Sequence, residues 1–383
     1  MHRFNLSIAV IMTVMLSACG GVGIRPSPDI LVIAHRGASA LRPEHTLAAY
    51  EKAIDDGADA VEPDLVMTRD GMLVARHENE ISGTTDVAAR PQFADRKTVR
   101  RIDGVAAHGW FVEDFTLAEL LTLRARERMP EIRTTSAAFD GWYPVPTLQE
   151  IISLVKRKAA QAGRPIAIYP ELKHPGYFRS IGLPLEERLI DILDANGLSG
   201  EEAPVFIQSF EVESLKRLRR LTNVRLVQLL FSSGQPDDFR RSGDLRTYAD
   251  MTTPAGFAEV AIYADGIGVA KSMVYGHGSE MHPAASSSLV PDAQAAGLFV
   301  HAYTFRPENL FLPLALQRGE TMLPSGRGDG AAEIMLFLQA GIDGFFTDDP
   351  AVGRTTVDAF QRTQGNSFFR LPKCRKEAAN ALD

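Results

Sequence analysis

From residue 30 onward, short runs of contiguous apolar and β-branched residues alternate with stretches whose apolar residues recur at helical spacing. The strand-like runs are Ile30 to Ala34, Ala60 to Met67, Ile166 to Tyr169, Val205 to Ser209, Val224 to Leu230, Ala264 to Val269, Phe299 to Phe305 and Gly344 to Thr347. Helical stretches between them include Glu44 to Asp55, Leu148 to Gln161, Leu185 to Ala195, Glu211 to Leu221 and Gly330 to Ala340. A strand that is apolar at consecutive positions is buried on both faces, the condition of a parallel strand covered by crossover helices. Eight such units predict one α/β domain, a TIM (β/α)8 barrel over residues 30–365. Gly57, Gly163, Gly197, Gly297 and Gly341 each follow a helical stretch and precede a strand, where helix C-caps sit. An open doubly wound sheet is the rival, but no G-x-G-x-x-G follows the first strand and the strand count reaches eight.

Three stretches leave the alternation. Residues 79–144 follow a Thr68-Arg69-Asp70-Gly71 turn and a short strand from Met72 to His77, and form an insertion after the second barrel strand. Residues 274–288 are rich in Gly, Ser, His and Met, and residues 307–329 carry Pro313, Pro324 and a Gly-rich run. All three come after strands, so they are expected at the barrel's C-terminal face, where active-site loops are built.

Residues 1–29 stand apart. His2 and Arg3, an apolar run from Leu6 to Leu16, and Leu16-Ser17-Ala18-Cys19 read as a signal peptide, the run being shorter than the ~20 residues that span a bilayer. The segment resembles the bacterial lipoprotein lipobox. That resemblance implies removal of residues 1–18, lipidation of Cys19, a tether over 19–29, and a membrane-anchored lipoprotein on the periplasmic or cell-surface side. The alternative is an ordinary secreted protein in which Cys19 is incidental. Cys374, the other cysteine, lies in a polar tail at 366–383, so no disulfide framework is available.

Charge narrows the function. Lys and Arg total 41 against 48 Asp and Glu, a net charge of −7, which lacks the basic footprint of a nucleic-acid binder. An acidic protein that handles phosphates needs a cation.

The titratable residues gather at strand ends. His35-Arg36-Gly37 closes the first strand. Glu62 and Asp64 lie two apart on the second, so the strand period turns both carboxylates to one side, with Pro63 facing away. Two carboxylates turned inward repel unless a cation joins them, and hard divalent cations take oxygen ligands. His77 ends the short following strand, and Glu171 and Lys173 end the third barrel strand, again two apart. Carboxylates for a cation, Arg36 and Lys173 for a phosphate, and imidazoles for proton transfer make an inventory for phosphate chemistry.

These residues carry a specific resemblance. His35-Arg36-Gly37-Ala38, Pro43-Glu44-His45-Thr46, Glu62-Pro63-Asp64, Thr68-Arg69-Asp70-Gly71, His77 and Glu171-Leu172-Lys173 resemble the glycerophosphodiester phosphodiesterase family in its longer secreted form. Agreement continues through Gln208-Ser209-Phe210, Gly266-Ile267-Gly268, Tyr303-Thr304-Phe305 and Gly341-Ile342-Asp343-Gly344-Phe345-Phe346-Thr347-Asp348. Two departures stand out: Glu78 follows His77 where the family usually has Asp, and Pro63 interrupts the acidic pair, suggesting that the strand ends there.

The resemblance implies a TIM barrel and a Ca²⁺- or Mg²⁺-dependent hydrolysis of glycerophosphodiesters, such as glycerophosphocholine and glycerophosphoethanolamine, to glycerol 3-phosphate and an alcohol. Glu62, Asp64 and Glu171 are the expected metal ligands, His35 and His77 the acid and base, and Arg36 and Lys173 the phosphate contacts. Phe210 and Phe305, at strand ends, are expected to touch the glycerol moiety of the substrate. His45 is expected to organise the start of its helix, and His301 to be a core or surface group. Two rival functions remain: a lipid phosphodiesterase of the sphingomyelinase D type, and a non-catalytic, cation-binding surface lipoprotein.

Overall fold

A computed structural model of the chain describes residues 30–276 and 286–367. Cys19 with the expected signal peptide and tether, much of the 274–288 stretch and most of the 366–383 tail lie outside the described residues. The strands are β1 (Leu31–His35), β2 (Ala60–Glu62), β3 (Asp64–Met67), β4 (Leu73–Ala75), β5 (Thr98–Ile102), β6 (Val105–Gly109), β7 (Ala167–Ile168), β8 (Glu171–Leu172), β9 (Phe206–Ser209), β10 (Arg225–Leu230), β11 (Gly266–Ala270), β12 (Phe299–Phe305) and β13 (Gly344–Thr347). In the main sheet every pairing is parallel except β4 on β3. β1 bonds to both β13 and β2, so the sheet returns on itself as the expected barrel.

Two barrel strands are interrupted rather than ended by proline. Pro63 separates β2 from β3, and Pro170 separates β7 from β8 on the neighbouring strand. The reading that the second strand ends at Pro63 is corrected: β3 continues to Met67 and pairs with β8. Neither proline can donate, but each still accepts: Pro63 from the Glu171 amide at 2.9 Å, and Pro170 from the Gln208 amide at 2.9 Å.

Side chains alternate across each barrel strand as period two requires. Ile33, Tyr169, Phe206, Val227 and Phe346 fill the barrel interior. Val32, Ile168, Ile207 and Phe345 point outward into the larger layer between the barrel and its helices. The helix expected from Glu44 begins instead at Leu47, because Thr46 caps it by accepting from the Ala49 amide at 3.1 Å. The five glycines read as C-caps all have positive φ, as expected of residues that turn a helix back toward a strand. The 79–144 insertion carries the β5–β6 hairpin and several short helical turns.

Candidate active site

Strand register assembles the acidic centre. Glu62 lies opposite His35 in the β1–β2 ladder, Asp64 opposite Glu171 in β3–β8, and Glu171 opposite Gln208 in β8–β9. Each of Glu62, Asp64 and Glu171 is buried, and each offers a carboxylate oxygen within 4.8 Å of the other two. Burial and mutual repulsion push Glu62 well above the usual carboxylate range and Glu171 up to about 7. Asp64 is held low by Lys173 and by the His77 and His45 imidazoles, which outweigh its burial. Without a cation the cluster must therefore share protons. Three oxygens this close suit a hard divalent ion, whose ligand distances of about 2.4 Å allow oxygen separations up to roughly twice that value. Gln208 supports the fit: its amide donates to Glu62 Oε1 at 3.2 Å, while its own carbonyl oxygen is buried without a hydrogen bond.

Both candidate histidines open on the same cavity of about 850 Å³, together with Arg36, Glu62, Glu171 and Lys173. His35 Nδ1 lies 2.6 Å from Asp348 Oδ1, and His77 Nδ1 bonds the carboxylate of Glu78. A carboxylate only accepts, so Nδ1 carries the proton in each ring and Nε2 is left with a lone pair. The Glu78 departure thus keeps a carboxylate on His77. Burial, reinforced by Arg36, lowers His35 to about 4; burial, Arg36 and Lys173 lower His77 to about 3.

Arg36 sits at φ 60°, which aims its backbone amide at Glu62 Oε2, 2.9 Å away. Its guanidinium lies 3.3 Å from Asp64 and 3.2 Å from Glu44. Lys173 Nζ donates to Glu171 Oε1 at 2.8 Å and lies 5.9 Å over the Phe210 ring. Phe210 lines the cavity. Phe305 does not: it is 2 % exposed and packs edge-on against Phe337 and Phe345, so its expected substrate contact is corrected to a place in the outer core. His301 is buried in the barrel, 2.9 Å from the Tyr169 hydroxyl, as expected of a core histidine.

Sequence reasoning missed four supporting residues. His45, read as a helix organiser, reaches the acidic centre: Nε2 donates to Asp64 Oδ2 at 2.8 Å, and Nδ1 accepts from the Tyr50 hydroxyl at 2.7 Å. Asp348 holds His35. Arg128 and Arg133, both from the insertion, grip the carboxylates that hold the two catalytic candidates, Arg128 on Glu78 at 2.7 Å and Arg133 on Asp348. Asp348 was visible as the end of a motif, and the arginines had no local signal.

A family model described as the glycerophosphoryl diester phosphodiesterase family matches residues 35–352. A glycerophosphodiester phosphodiesterase of Arabidopsis thaliana is 33 % identical over 333 residues, covering 82 % of each chain. One from Haemophilus influenzae is 27 % identical over 375 residues, covering 91 % of this chain and 97 % of its own. Among solved structures, a phosphodiesterase of Oleispira antarctica in complex with the product sn-glycerol-3-phosphate shares the fold at a TM-score of 0.53, with 20 % identity and coverage of 86 % of this chain and 96 % of its own. A glycerophosphodiester phosphodiesterase of Agrobacterium tumefaciens does so at 0.52, with 17 % identity and coverage of 84 % and 98 %. The family match over most of the chain and the Arabidopsis relative together show that this chain belongs to the glycerophosphoryl diester phosphodiesterase family of enzymes.

Proposed function

We propose that the protein hydrolyses glycerophosphodiesters to glycerol 3-phosphate and an alcohol, with Glu62, Asp64 and Glu171 holding a divalent cation, Ca²⁺ or Mg²⁺, and His35 and His77 exchanging protons. The observation that carries this reading is the pairing of both imidazoles, each fixed at Nδ1 by a carboxylate, with a three-carboxylate cluster on one cavity. Bound there, the cation supplies charge neutralisation to the phosphoryl oxygens.

The chain's own residues do the rest. Arg36 and Lys173 bind the anionic phosphate, and its negative charge favours the imidazolium that burial and the nearby cations disfavour, so one imidazole gains a proton in the complex. The other removes the proton of the glycerol C2 hydroxyl through Nε2 as that oxygen attacks phosphorus. The bond to the alcohol breaks, and the protonated imidazole gives its proton to the departing oxygen. Water then adds to the cyclic phosphate with the roles reversed: the imidazole that protonated the alcohol takes the water's proton, and the one that deprotonated the C2 hydroxyl returns that proton to C2 oxygen. Net reaction consumes one water.

A diester lacking a hydroxyl beside the phosphoester tests the scheme. Its turnover should fall by at least about 10²-fold, and equal turnover would exclude attack by the neighbouring hydroxyl.

Export and lipidation at Cys19 complete the proposal, on the strength of the Leu16-Ser17-Ala18-Cys19 segment. Among the described residues no helix is long and apolar enough to cross a membrane.

A further inference from the structure

Arg306 directly follows β12, and the sequence gives it no local mark. The register shift that turns Phe305 outward leaves Arg306 on the cavity, beside Tyr303 and Thr304. Its guanidinium lies 4.7 Å over the Phe311 ring, a contact that favours one plane for it. Nε stands 3.2 Å from Asp348 Oδ2, the carboxylate whose other oxygen holds His35. Asp348 therefore sets this guanidinium next to the imidazole, close enough that its charge disfavours the imidazolium.

Arg306 is short of an anion. Among the described residues Asp348 is its one carboxylate contact, and the buried Nε is not aligned to donate a hydrogen bond there. Asp348 Oδ2 is already taken by Arg133, as is Glu308, the next carboxylate nearby. Of the three cations that line the cavity near the acidic floor, Arg36 has Glu44 and Asp64, and Lys173 donates to Glu171. Arg306 shares a single carboxylate with His35 and Arg133, and is the least compensated of the three. A largely buried guanidinium with donors unspent gains most from an anion that accepts through two oxygens at once, and phosphate fits its planar fork.

We propose that Arg306 is a further phosphate-binding residue of the reaction, gripping non-bridging phosphoryl oxygen from the His35 side of the cavity. The inference rests on the phosphodiesterase reading and extends its catalytic set to the loop after β12. As the attack proceeds, negative charge builds on the non-bridging oxygens. A guanidinium already placed by Phe311 and Asp348 meets that charge without reorganising. Arg306 moves no proton itself, since a guanidinium stays charged.

The test is Arg306→Gln in the purified full chain, with inorganic phosphate as the probe. kcat/KM for glycerophosphocholine should fall at least about tenfold, and the inhibition constant of phosphate should rise at least about fivefold. A role confined to steadying Asp348 would move the first readout and not the second. Arg306→Lys, which keeps the charge and loses the fork, should recover part of both. Should Arg306→Gln fail to fold, Arg306→Met, which keeps an apolar stem against Phe311, is read in the same way. Adding Arg306→Gln to Asp348→Asn should weaken phosphate inhibition by about the same factor as in the wild-type background. Phosphate inhibition unchanged in Arg306→Gln, or no weaker in the double variant than in Asp348→Asn alone, overturns the phosphate contact and leaves the phosphodiesterase reading intact. A wild-type chain that cleaves no glycerophosphodiester overturns that reading, and this role of Arg306 with it.

Discussion

Arg133 and Asp348 lie 215 positions apart in the chain and meet in a buried ion pair at the barrel mouth. Asp348 spends its other oxygen on His35, and Arg133 also holds Glu308 at 2.7 Å. Arg128 does the same for the second imidazole, bridging Glu78 and Glu44. The insertion is thereby built into the candidate active site, since each histidine is steadied through a carboxylate that an insertion arginine fixes in place.

Asp348→Asn should lower kcat by about 10²-fold or more, because an amide can present its NH₂ to Nδ1 and so favour the wrong tautomer. Arg133→Gln should have a smaller effect in the same direction, and Arg133→Lys should restore part of it. Steady-state kinetics alongside thermal unfolding separate positioning from lost stability: Asp348→Asn with near-normal kcat would remove it from the account of His35.

Lys173→Met should damage turnover more than metal binding. Lys173 and Glu171 share one side of the strand, but only the carboxylate can ligate a cation. A phosphate contact predicts kcat/KM lower by at least tenfold, about 1.4 kcal/mol, with metal affinity level or higher. Full recovery of catalysis at saturating metal would reduce Lys173 to a counter-ion for Glu171.

His301 makes the fold acid-sensitive. Burial lowers it from 6.5 to about 3, so the folded state keeps it neutral while the unfolded chain takes up a proton below pH 6.5. Its contribution is neutral above that pH and grows unfavourable as pH falls toward 3, at a slope of up to ~1.4 kcal/mol per pH unit. His301→Gln should be less stable at pH 8 but lose stability less steeply between pH 6 and 4. Denaturant titrations across that range check it, and an unchanged slope would assign the acid sensitivity elsewhere.

Cys19→Ser should move the protein from the membrane fraction to the soluble one, since the chain's net charge is −7 and the lipid is the proposed anchor. Continued membrane association after signal cleavage would refute that anchor.

Much of the site was legible because it follows strand parity. Glu62 with Asp64, and Glu171 with Lys173, needed only a period of two to share a side, and parallel register then brought the pairs together. A place at a strand end misled at Phe305. Tyr303 lines the cavity, and a residue two further on would do so in a regular strand, but the β12–β13 register shifts between Ala302 and Phe305 and turns Phe305 outward. His45 was misread for a different reason. Its local signal, a place before a helix, is real, but its φ of 57° and its reach to Asp64 arise only when β3 is laid beside it. Arg128 and Arg133 were illegible because their partners lie 50 to 215 positions away.

On the proposed function, the three buried carboxylates Glu62, Asp64 and Glu171 make catalysis depend on a divalent cation. Glycerophosphocholine hydrolysis by the purified protein, measured with metal analysis before chelation, after it, and after adding back Ca²⁺ or Mg²⁺, tests this most directly. Activity should fall to background when the metal is stripped and return with it, and Glu62→Ala, Asp64→Ala or Glu171→Ala should not recover. Full activity from a protein shown to carry no metal would contradict the account.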